Sequence, residues 1–161
     1  MKMNIEAGLV FAIRLLNEKF GFGQLVVRQE PIFYMVAYDV QSETPAIDDH
    51  TIQQSRPVLM GNFFDVLIRN GRWTPVRHFV LPRVPYPCFK VRIGDSFYVE
   101  SWDRQRKREA TEVELRRLQP RSDYGPIILE NALNAHFGLT PWETTFEPLK
   151  VEAVSAISKL C

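Results

Sequence analysis

Three histidines, two cysteines and a few close-set carboxylates are the residues of this chain with chemistry to offer. His50, His78 and His136 stand far apart, and none shares a close metal-ligand spacing with another His, Cys or acid. Asp48-Asp49-His50 would be the nearest thing to an acid–base or metal cluster, but three consecutive residues do not converge on one ion from a helix. His136 falls on an apolar helix face, where a satisfied core or boundary histidine is expected. Glu100 and Asp103 flank Trp102 without marking themselves as a paired acid and base. The patterns G-x-S-x-G, the Walker loop and H-E-x-x-H do not occur. Cys88 and Cys161 share no metal-like spacing and read as a buried small hydrophobe and a frayed terminal thiol. The sequence therefore assigns no catalytic residue, no metal ligand and no cofactor, and it offers no support for an enzyme.

Charge and aromatic surface remain. Residues 39–49 carry Asp39, Glu43, Asp48 and Asp49 with no Lys or Arg among them. Glu43, Asp48 and Asp49 are the candidate contacts for a basic partner. At Asp103 the character reverses: Arg104, Arg106, Lys107, Arg108, Arg116, Arg117 and Arg121 crowd together, with Glu109, Glu112 and Glu114 between them. Arg104, Arg106 and Arg108 are the candidates for an acidic partner. Either run also describes an ordinary solvated face, and the interleaved acids dilute the basic potential. Trp73, beside a turn, and Trp142, at a helix start, are expected to be partly exposed, and exposed aromatics near arginine are interface material. Trp73 joins the candidate contacts.

The balance of the whole chain narrows the partners. Twenty Lys and Arg against nineteen Asp and Glu give a net charge of +1 in 161 residues, whereas a general nucleic-acid binder is strongly basic. No apolar run reaches transmembrane length. The run Gly8–Ile13 is too short and too closely flanked by Glu6 and Arg14 for a signal peptide, so a reducing, cytoplasmic compartment is expected. Hydrophobic residues at 45% and charged residues at 24% suffice for one ordinary domain with its own core.

The elements that must position these residues begin with Gly8–Val40. Three apolar runs, rich in Val, Ile, Phe and Tyr, lie back to back across Asn17-Glu18-Lys19 and Gln29-Glu30-Pro31, predicting an antiparallel meander. The first run is apolar on both faces and should be covered on both sides. In Phe20-Gly21-Phe22-Gly23 the glycines share one face, which marks a bend or a close approach. Thr44-Pro45 starts a short helix ending near Gln54. A strand over Asn62–Arg69 turns at Asn70-Gly71, a strong hairpin signal, and returns through Arg72–Val76. Prolines 75, 82, 85 and 87 make an extended stretch. Cys88–Ile93 and Ser96–Trp102 form a second hairpin around Gly94-Asp95, expected in the same sheet as the first. Thr111-x-x-Glu114 is a capping box for a helix over Glu112–Leu118. The clearest helix runs from Gly125-Pro126 to Phe137 and is closed by Gly138, with Leu129, Ala132, Leu133, His136 and Phe137 on one face. Thr140-Pro141-Trp142-Glu143 caps a further short helix, and Val151–Leu160 is helix or strand. The expected fold is α+β in a single domain over 1–161: an antiparallel, strongly bent or SH3-like barrel sheet within 8–102, followed by two or three helices within 111–160 packed on it.

The opening Gly8-x-x-Phe11-Ala12-Ile13-x-Leu15 and the returning Phe20-Gly21-Phe22-Gly23-Gln24-Leu25-Val26 resemble an immunity-protein family of bacterial polymorphic toxin systems, the one numbered 26. Its members begin with a G-x-x-F-A-I-P-L-like strand and a Y-G-F-G-R-V-like strand. Trp73 to Pro82 and the helix end His136-Phe137-Gly138 are similar too, so the likeness spans Gly8 to Trp142, with the first hairpin its distinctive part. Arg14 stands where the family often has Pro, and Gln24 where it often has Arg; neither alters the strand pattern. The resemblance implies a cytoplasmic protein whose partner is a cognate toxin, neutralised by occlusion; the near-neutral charge argues against nucleic acid as a partner, and the absence of a long apolar run argues against a membrane. It carries over no catalytic residue. The residues by themselves leave open an SH3-like binding module for a peptide or nucleic acid, and an enzyme with an unrecognised hydrolytic site.

Overall fold

The computed structural model describes residues 3–161. The chain divides into two compact units, one of residues up to Arg83 together with Asp123–Lys150, the other of Val84–Ser122 with Val151–Cys161. The class is α+β, with antiparallel pairing in both sheets.

The first unit is built on the meander: β1 (Leu9–Arg14), β2 (Phe20–Gln29) and β3 (Ile32–Tyr38). With β4 (Pro57–Phe64) and β5 (Thr74–His78) they form one sheet in the order β4-β3-β2-β1-β5. The sheet is open, with β4 and β5 as its edges, and does not close into an SH3-like barrel. Register shifts between β1 and β5, β2 and β3, and β3 and β4 supply the local twist that bulges give. Pro75 lies in edge strand β5, where the missing N–H costs no ladder bond. All of β1 but Arg14 is buried, as its apolar residues on both faces require.

The glycines of β2 serve close approach. Gly23 faces Phe11 across the ladder, and a methyl group on it would stand 2.4 Å from the Phe11 ring. Gly21 makes the same room for Leu133, 2.7 Å away. Phe11 in turn stacks on Trp73 at 4.9 Å, nearly parallel. Leu129, Ala132 and Leu133 of α4 (Ile127–His136) complete the core with Leu25, Phe33, Met35, Phe63, Phe146 and Leu149. The helix expected from Pro126 to Gly138 is present, and Gly138 ends it with φ of 76°.

Three local signals are used differently from the expectation. The helix after Thr44-Pro45 begins later: α1 (Asp49–Gln54) is capped by Asp48, whose carboxylate accepts from the Thr51 N–H at 2.7 Å. Asn70-Gly71 does not turn a hairpin. Residues 66–69 leave the strand and coil into the short helix α2 (Val66–Arg69), which buries Ile68, and Gly71 follows it with φ of 84°. The return strand therefore pairs with β1 instead of β4. After Thr140-Pro141 the chain forms a 3-10 helix, Thr144–Leu149, with no side-chain cap bond.

In the second unit, β6 (Phe89–Ile93) and β7 (Ser96–Glu100) form the expected hairpin, with Gly94 at φ 62°. They belong to a separate sheet, β6-β7-β8, and not to the sheet of the meander. β8 (Lys107–Glu109) is a fully exposed edge strand of three charged residues, a composition that blunts an edge against further pairing and that reads as solvated charge in sequence. α3 (Glu112–Arg117) carries the capping box in full. Residues Val151–Ser158 form α5, so the terminal segment is a helix.

Cys88 and Cys161 are joined by a disulfide, with Cα atoms 5.8 Å apart and a sequence separation of 73. Both were expected as free thiols. Their pairing is a long-range consequence of placing α5 in the unit that holds Cys88. A small buried apolar cluster here consists of Cys88, Val99 and Leu118, with Ala110, Ile157 and Leu160 against it, and Phe89, Trp102 and Val154 are buried as well. Ion pairs supplement it. Arg121 donates to Glu100 at 2.7 Å and to the carbonyls of Ser101 and Trp102. Arg108 forks onto Glu114, the N3 residue of α3.

Candidate partner-binding surfaces

The acidic candidates lie in the first unit. Asp48 and Asp49 open α1, and beside them is a hollow of about 490 Å³ lined by Val40, Gln41, Ser42, Ala46, Ile47, Asp48, Thr51 and Arg77. Each acid already has a use. Asp48 is the cap of α1, and the Thr51 N–H holds its carboxyl below the ordinary range. Asp49 accepts from Arg77 at 2.9 Å. Glu43 lies 3.5 Å from Lys19, and Asp39 is shared by His136 at 2.9 Å and Arg56 at 3.8 Å. His136 is thus the satisfied boundary histidine expected. The segment that reads as a negative run is, in three dimensions, locally neutralised.

Trp73 corrects an expectation. It is not partly exposed but 0% accessible. Its ring stacks on Phe11, and its indole N–H donates to Glu130 Oε1 at 3.1 Å. Arg72 holds the same carboxylate from outside at 3.2 and 2.5 Å. A buried indole N–H needs such an acceptor. Trp73 is a core residue with no surface for a partner. Trp142 is half-buried, bonded to Glu147 at 2.6 Å and covered by Lys150.

The basic candidates lie in the second unit, at the turn from β7 to β8 and on β8 itself. The turn is tightly held. Asp103 accepts from the Ser101 hydroxyl at 2.6 Å and the Gln105 N–H at 3.0 Å. These bonds, the hydroxyl first, hold the Asp103 carboxyl below the ordinary range. Arg104 sits at φ 64° at the tip, and the main chains of Ser101 and Arg106 close the loop at 2.9 Å. Arg108 is engaged by Glu114 and by the Leu160 carbonyl at 2.8 Å. Lys107 lies 3.5 Å from Glu100. Among the described residues, no carboxylate stands within ion-pair distance of Arg104 or Arg106.

Beside this turn opens a hollow of about 890 Å³, lined by Tyr86, Pro87, Cys88, Val99, Ser101, Trp102, Asp103, Gln105, Arg106, Lys107, Arg108 and Cys161. Tyr86 and Trp102 contact each other with centroids 5.1 Å apart, and burial raises the Tyr86 hydroxyl pKa. The sequence reading found the arginines of this site but not its aromatic wall. Tyr86 sits among prolines and Trp102 ends a strand, and no periodicity links them. The pairing of Tyr86 with Trp102 depends on the fold alone.

No three His, Cys, Asp or Glu side chains among the described residues are grouped to hold a metal ion. No helix among them is long and apolar enough to cross a membrane. A family model described as Immunity protein 26 matches residues 6–103. That span contains the whole five-stranded sheet and the β6–β7 hairpin. No curated protein and no solved structure matches the chain.

Proposed function

The chain belongs to the immunity protein 26 family, and on that footing we propose that it binds a cognate toxin domain and neutralises it by covering the toxin's working surface. Membership gives the protein an immunity role in a toxin system, and the match over residues 6–103 is the observation that carries it. Occlusion, rather than turnover of a substrate, is the mechanism proposed. A folded domain presenting a few charged and aromatic anchors can hold such a partner at Kd of about 1 nM or tighter.

Growth rescue tests this. The C-terminal domain encoded immediately upstream is expressed in a laboratory bacterium with and without this chain, and the two are then co-purified. Toxicity relieved together with a stable complex is the expected result. Toxicity unrelieved with no complex overturns the pairing. The cytoplasm is the proposed site of action. A disulfide is unusual in that compartment, so trapping thiols in fractionated cells checks the placement. Recovery of the protein chiefly from the periplasmic fraction would overturn it.

A further inference from the structure

We infer that the hollow beside the β7–β8 turn receives a carboxylate-bearing loop of the toxin, with Arg106 in its lining and Arg104 at the tip of the adjoining turn as the receiving cations, and Tyr86, backed by the buried Trp102, as the apolar wall. This rests on the immunity reading and adds to it the site and the chemistry of the contact. The lining carries Arg106, Lys107 and Arg108 against Asp103 as its one carboxylate side chain. That carboxylate is turned into the loop by two hydrogen bonds and acts on Arg106 only through space, without an ion-pair contact. Lys107 and Arg108 have acids of their own. Arg104 and Arg106 are exposed and lack an acid at ion-pair distance among the described residues, on a turn that its own bonds hold in shape. Fixed cations on a rigid turn bind a carboxylate with little ordering cost, and a planar guanidinium does so in a defined geometry. The adjoining aromatic and proline surface accepts the apolar neighbours such an acid has in a loop. An acidic protein surface fits this mixture better than nucleic acid, because at the hollow only Arg104 and Arg106 lack an acid at ion-pair distance among the described residues, and two cations cannot follow a phosphate backbone.

The test titrates the upstream-encoded toxin domain into the full chain by calorimetry at two salt concentrations. The variants are Arg104→Glu/Arg106→Glu and Arg106→Gln, with Glu143→Gln in the first unit as control. The charge reversal is expected to weaken binding at least about tenfold and to flatten its salt dependence, since opposed like charges at an interface are costly. Arg106→Gln should give a smaller loss in the same direction, and it serves as the readout if the double variant does not fold. Glu143→Gln should bind as the unmodified chain does. Unmodified protein that binds and protects, with folded Arg variants binding equally well, overturns the docking site and leaves the immunity reading standing. Unmodified protein that neither binds nor protects overturns both. Tight binding of a single-stranded DNA oligonucleotide that is lost in Arg106→Gln, with toxin binding unchanged, reassigns the hollow and also overturns the inference.

Discussion

The two units hold themselves together by different means. The first has a buried cluster running from Leu9 to Leu149, in which Trp73 and Phe11 are stacked over a glycine and Glu130 anchors the indole. The second has a much smaller set, Cys88, Phe89, Val99, Trp102, Leu118 and Val154 among the described residues, and adds a disulfide, the Arg121–Glu100 pair and the Arg108–Glu114 fork. A small core needs staples of this kind. The difference bears on binding as well as stability. Where charges serve as staples they are unavailable to a partner, so most of the basic run of the second unit is structural. Among the described residues of that run, Arg104, Arg106 and Arg117 are left without an acid at ion-pair distance. In the first unit Asp39, Glu43 and Asp49, beyond β3, are matched by Arg56, His136, Lys19 and Arg77, and Asp48 is taken up as the cap of α1.

The comparison can be broken most severely at Trp73. Trp73→Ala removes the largest fully buried side chain and leaves Glu130 without its inner donor. A loss of about 3–5 kcal/mol is expected, as for other buried tryptophans. Chemical denaturation should show it, and amide exchange should locate it in β1 and β2. A change under about 1 kcal/mol would mean that the first unit is not held by its core in this way.

The disulfide comes next. Replacing both Cys88 and Cys161 by Ser should cost about 2–4 kcal/mol, since the bond closes a long loop, and β6, β7 and α5 should lose exchange protection. The unmodified chain should weaken in the same region when reductant is added. Equal stability with and without reductant would show that ion pairs and packing suffice there.

Acid gives the smallest and most specific effect. Arg108, followed by the Thr111 N–H, lowers the Glu114 carboxyl to about 2 from an ordinary 4.5. A depressed folded pKa stabilises the fold above the unfolded value, and that contribution is lost as the pH falls from about 4.5 towards 2. Thermal melts across that window should decline more steeply for the unmodified chain than for Glu114→Gln, which lacks the titrating group. Parallel declines would remove this fork from the staples of the second unit.

Much of the architecture could be read because its signals are local. The meander, the Gly94 hairpin, the Thr111 capping box and the Pro126–Gly138 helix are each specified by residues within a few positions of one another. The features that escaped depend on distance or on context. Asn70-Gly71 suits a hairpin and a helix end equally well, and only the burial of Ile68 and the pairing of β5 with β1 decide between them. Trp73 beside that turn looks exposed until Phe11, Gly23 and Glu130 close around it. Cys88 and Cys161 give no sign of each other at a sequence separation of 73. At the candidate site the arginines were legible as a run. Which of them stay free was not, because that depends on where Glu100 and Glu114 fall in space.

Gln24 sets terms for how this sequence can change. Its amide is completely buried, donates to the carbonyls of Gly8, Phe79 and Val80, and accepts from the Tyr38 hydroxyl at 2.5 Å. A neutral side chain there completes a ring of neutral partners. An arginine at the same place would bring a positive charge and more donors, and a buried charge requires a counter-ion. Position 24 and its neighbours must therefore evolve as a set. Across descendants of this sequence, a cation at position 24 should arrive together with a new carboxylate near Tyr38 or the Phe79–Val80 strand end, a covariation that sequencing of relatives can look for directly.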